Sequence, residues 1–122
     1  MKELDTFGKV FVSNTRDTML DELSRLFEKK AKAPALQNLQ ESLQQFSAEQ
    51  RTLIKDLVDE LATTSMHALL FSLQEISDLD EGIEIWVEGK NIAELSDGLH
   101  GEIFSDEGWI KRFSRHDYDE KD

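Results

Sequence analysis

Apolar positions in the first two thirds of the chain recur at helical spacing, and after Gly82 they switch to strict alternation. Leu4, Phe7 and Phe11 mark one helix face, which Gly8 weakens by about 1 kcal/mol relative to Ala. Met19, Leu20, Leu23, Leu26 and Phe27 form the stripe of a second helix, with Asn14 as its candidate cap. Lys29, Lys30 and Lys32 follow where the helix dipole favours cations. Pro34 predicts the first residue of a third helix carrying Leu36, Leu39, Leu43 and Phe46. Ser47-Ala48-Glu49-Gln50 has the form of a capping box. It opens a long helix over 48–79, with a candidate bend at Thr63-Thr64-Ser65. Leu53, Ile54, Leu57, Val58 and Leu61 give that helix one apolar side. From Met66 to Phe71 it is apolar nearly all round, which predicts burial of Leu69.

Beyond Gly82, Ile83, Ile85 and Val87 alternate with Glu84, Trp86 and Glu88, the pattern of a strand with one charged face. Glu88-Gly89-Lys90-Asn91 predicts a turn, and Ile92–Leu95 a returning edge strand. Four of the six glycines lie after Gly82, so the last third is rich in loops. A short helix bearing Trp109, Ile110 and Phe113 closes the pattern. The fold class is therefore mostly α: a helical bundle around a long central helix, with a short β-hairpin and a loop-rich C-terminal third. Residues 1–115 read as one globular domain, and 116–122 as a disordered acidic tail.

Charge sharpens this picture. The 122 residues carry a net charge of -12, with 11 acidic and 9 basic side chains in 1–74 but 15 acidic and 5 basic in 75–122. The negative potential thus belongs to the strand-and-loop end. It argues against nucleic acid, whose binders need clustered Lys and Arg, and favours a basic protein partner. The absence of cysteine excludes disulfides, thiolate metal sites and a cysteine nucleophile, and fits a cytoplasmic location. Neither a signal peptide nor a membrane span is predicted.

Motifs for chemistry are sparse. His67, His100 and His116 lack the spacing of a helical metal pair, and Ser77–Glu88 fails the register of a calcium loop. There is no nucleophile elbow, phosphate loop or dinucleotide fingerprint, so no catalytic residue, metal or cofactor is assigned. The candidate partner-binding residues are Glu84, Glu88, Glu94, Asp97, His100, Glu102, Trp109 and Arg112. They combine acids, glycine-flanked polar groups and an aromatic beside a cation. In the competing reading, Trp109 fills the core and the arginines pair with nearby acids.

Val87-Glu88-Gly89-Lys90, Leu95 through Glu102 and Gly108 through Ser114 resemble segments of small bacterial proteins of unknown function. Ala33-Pro34-Ala35-Leu36 and Glu49-Gln50-Arg51 share the likeness. The resemblance implies a bacterial, cytoplasmic, helix-rich domain and carries no activity. Three functions fit the sequence: a binding module for a basic partner, an immunity or inhibitor protein against a basic toxin, or a small ligand binder or enzyme using the 97–102 loop.

Overall fold

A computed structural model of the chain describes residues 2–118. The order of elements is α1 (Lys2–Val12), a π-helical turn (Ser13–Asp17), α2 (Thr18–Phe27), a 3-10 turn (Pro34–Leu36), α3 (Gln37–Leu43), α4 (Ala48–Asp78), β1 (Trp86–Val87), β2 (Lys90–Asn91), α5 (Ile92–Leu95), a 3-10 turn (Leu99–Gly101) and α6 (Trp109–Phe113). The molecule is mostly α-helical around one long helix, with a minor two-stranded antiparallel element.

The capping box at Ser47 forms as its sequence implies. The Gln50 backbone N–H donates to Ser47 Oγ at 3.2 Å, and the Ser47 N–H donates to Gln50 Oε1 at 2.8 Å. Both otherwise unsatisfied donors are thereby used. From there α4 runs unbroken through Thr63, whose hydroxyl donates back to the Asp59 carbonyl at 3.0 Å.

The start of the chain differs from expectation. Asn14 does not cap a new helix, because the backbone stays helical from Val12 to Thr18. Thr18 Oγ1 donates five residues back to the Ser13 carbonyl, and Thr15 Oγ1 donates to the Phe11 carbonyl. This widened turn holds Arg16 and Asp17, two consecutive charged residues that are both fully buried. Such π turns are rare. The lysines also shift: α2 ends at Phe27, and the Lys30 N–H closes onto the Arg25 carbonyl at 2.8 Å. Lys29 takes the left-handed position at φ 60 usual for a helix stop.

The main core joins α1, α4 and the last third around Trp109, Ile103, Ile92, Leu99, Leu70 and Met66. A smaller cluster of Leu26, Ala31 and Leu43 packs with Ile54 near the start of α4. Gln40 binds both sides of the buried Ala31 peptide, accepting from its N–H at 2.9 Å and donating to its carbonyl at 3.3 Å. Leu69 is not in either cluster. It is 48% exposed, because other elements cover only one side of α4. The burial predicted for Leu69 therefore does not arise.

Gly8 has a use that its helix propensity conceals. A Cβ there would lie 2.4 Å from two ring carbons of Trp109, so α1 can approach the indole only without a side chain. Gly8→Ala in an open helix would stabilise by about 1 kcal/mol. Here it should destabilise by roughly 1–3 kcal/mol through overpacking, read as a lower urea midpoint.

Candidate functional site

The hairpin is shorter than its sequence pattern suggests. Trp86 pairs with Asn91 and Val87 with Lys90, joined by Glu88 and Gly89 at φ 49 and 82. Two consecutive positive φ values make the tight turn that matches strand twist. Ile92–Leu95 is a helical turn instead of an edge strand. Asn91 causes the switch, since its Oδ1 accepts the Ala93 N–H at 3.0 Å as a helix cap. The Ile92 N–H still reaches the Ile85 carbonyl at 3.0 Å, tying α5 to the hairpin.

Gln74 of α4 fixes this end of the molecule to the bundle. Its amide donates to the Ala93 carbonyl and accepts from the Leu99 N–H, each at 3.0 Å. The loop after α5 is closed by its own bonds: Ser96 Oγ accepts from the Gly98 N–H and donates to Glu102 at 2.9 Å. The Trp109 N–H then donates to the Glu102 carbonyl at 2.8 Å, which starts α6.

The eight candidate residues do not form one surface. Glu84, Glu88, Glu94 and Asp97 are exposed on the hairpin and the elements that follow it. Glu102 is half-buried on Ser96. His100 is half-buried against α4, its ring 5.0 Å from Phe71 and 5.2 Å from His67 between centroids. Trp109 is fully buried and packs edge-on to Phe7. It builds the core and cannot meet a partner. Arg112 binds Asp5 of α1 through two hydrogen bonds, at 2.7 and 3.2 Å. These bonds lower the Asp5 pKa and raise that of Arg112, so this cation is already engaged.

Trp86 is the residue that sequence reasoning passed over. It is 58% exposed, and its indole N–H donates to Glu84 at 2.8 Å. Ile83 and Leu79 are exposed beside it in sequence, at 54% and 61%. The signal was present in the alternation, since Trp86 shares its parity with Glu84 and Glu88 and hence their outward face.

A second polar assembly sits on the π turn and holds residues 114–118. Arg16 donates to the hydroxyl of Ser114, to the carbonyls of His116 and Asp117 at 3.1 and 2.9 Å, and to Asp59 at 3.1 Å. Its guanidinium lies 5.3 Å from the centre of the Tyr118 ring. Asp17 accepts from Ser114 Oγ at 2.6 Å and from the Arg115 N–H. Asp21 binds His116 and Arg115, and those two bonds lower its pKa. The first three residues of the expected tail are thus docked, and 119–122 lie outside the described residues.

Among the described residues no cluster of three or more His, Asp or Glu could hold a metal, and no helix is long and apolar enough to cross a membrane. A cavity that touches the 97–102 loop, at Leu99, has a volume of about 10 Å³. That is room for one water at most. Comparison with family models, curated proteins and solved structures finds no match to this chain.

Proposed function

We propose that the protein is a non-catalytic binding module that docks its acidic hairpin end onto a basic protein surface. The observation that carries this reading is Trp86, an exposed aromatic on a braced hairpin between two exposed glutamates. Tryptophan is enriched among the few residues that dominate binding energy, and surrounding acids steer a cationic partner toward it. The hairpin is held by cross-strand pairing, by the Asn91 cap and by Gln74, so little ordering cost accompanies association. Lys90 is engaged by Glu3 at 3.2 Å, which removes a cation from the face. The concentration of negative charge in 75–122 disfavours nucleic acid, and the lack of cysteine suits a cytoplasmic setting.

Affinity capture tests this directly. The immobilised protein should retain a partner with a net positive surface. Trp86→Ala should lower that retention at least tenfold, and Glu84→Lys with Glu88→Lys should abolish it. Full retention by both variants would place the binding surface elsewhere.

A further inference from the structure

Among the described residues nothing covers one side of α4. Leu53, Leu57 and Leu61 are 70%, 56% and 55% exposed. Thr64, Ser65, Ala68 and Ser72 lie between and beside them, also exposed. From Leu61 to Gln74 the helix has no Asp, Glu, Lys or Arg. A helix that is uncharged all round is suited to cover on every side, yet α4 is covered on one.

Three features identify the cover as a second copy of this chain. The first is size. About a twofold axis between Thr64 and Ser65, antiparallel pairing sets Leu61 against the other copy's Ala68 and Leu57 against its Ser72. Large side chains then meet small ones, as interdigitated packing requires. The second is charge. Each chain carries -12, mostly beyond residue 74. Antiparallel pairing through the uncharged strip keeps the two acidic ends at opposite ends of the pair, whereas parallel pairing would press them together. The third is area. The strip from Leu53 to Ser72 runs about 28 Å. Leu53, Leu57 and Leu61 are each more than half exposed along it, apolar area of the kind that an interface of ~800 Å² per partner buries.

We propose that the protein forms a homodimer through this side of α4, with the helices antiparallel and Thr64 and Ser65 at the twofold axis. Leu73 and Ser77, which line the small cavity with Ile83 and Ile85, project from the opposite side of the helix. The dimer therefore leaves both hairpins free, and its existence does not depend on the hairpin being a docking surface.

Sedimentation across a range of concentrations should give a particle of twice the 14.0 kDa chain mass. Leu57→Glu combined with Leu61→Glu should return it to the monomer with an unchanged far-UV circular dichroism spectrum. Because the chain has no cysteine, a single introduced thiol reports the geometry. Thr64→Cys should be joined by a short thiol-reactive crosslinker. Leu53→Cys should not, since its two copies would lie about 34 Å apart along the antiparallel helices. A wild-type monomer at every concentration would overturn the dimer. Crosslinking of the Leu53→Cys variant would overturn its antiparallel arrangement.

Discussion

Arg16→Met should lower folding stability by about 3–5 kcal/mol, the usual cost of removing one partner from a buried ion pair. Arg16 is fully buried and satisfies four acceptors from two stretches of chain: Asp59 on α4, and Ser114 with the carbonyls of His116 and Asp117. Methionine keeps much of the side-chain volume and supplies none of the donors. Asp59 would lose its countercharge, and two carbonyls would be left seeking water in a part-buried site. Thermal melting should show a midpoint lower by about 10–20 °C for a chain of this size. A truncation that ends before His116 removes the same two carbonyls and Tyr118, and should lower the midpoint in the same direction. A shift within error for both changes would mean that the clamp does not hold residues 114–118 to the bundle.

Trp109→Ala should cost a similar 3–5 kcal/mol, for a different reason. The indole is fully buried where α1, α4 and the last third meet, with Phe7 against it at 5.9 Å between centroids. Deleting it leaves a cavity that α1 cannot readily fill, because the facing residue is Gly8, which has no side chain to move in. Urea denaturation should show a lower midpoint with little change in slope. A cost below about 1 kcal/mol would mean that the core collapses around the gap.

What could be read from the sequence was what short-range chemistry decides. Ser47 and Gln50 bond across three residues, so the start of α4 is visible in four letters. The switch of period at Gly82 likewise announces the hairpin. Ile92–Leu95, four mostly apolar residues, fits a strand as well as a helical turn, and Asn91, which caps that turn, suits a β-turn equally well. The π turn at Ser13–Asp17 leaves only threonine hydroxyls as local traces, and these also occur in ordinary helices. Burial is harder still, since it depends on which side of an element others cover. Leu69, expected in the core, is half-exposed for that reason, whereas Trp109 takes the core position that one of its two readings gives it. Trp86 could have been placed, because its parity with Glu84 and Glu88 fixes its direction. Gly8 was legible only as a weak point, since its purpose lies in a residue a hundred positions away.

The proposed docking surface is the acidic hairpin end. The most direct measurement is the rate at which the protein associates with its captured partner as ionic strength is raised. Between about 0.1 M and 1 M salt the Debye length falls from about 10 Å to about 3 Å. A complex steered by Glu84, Glu88 and their neighbours should associate at least tenfold more slowly at the higher salt, and Glu88→Lys should flatten that dependence. A rate that stays constant across this range, with wild type and variant alike, would contradict the claim.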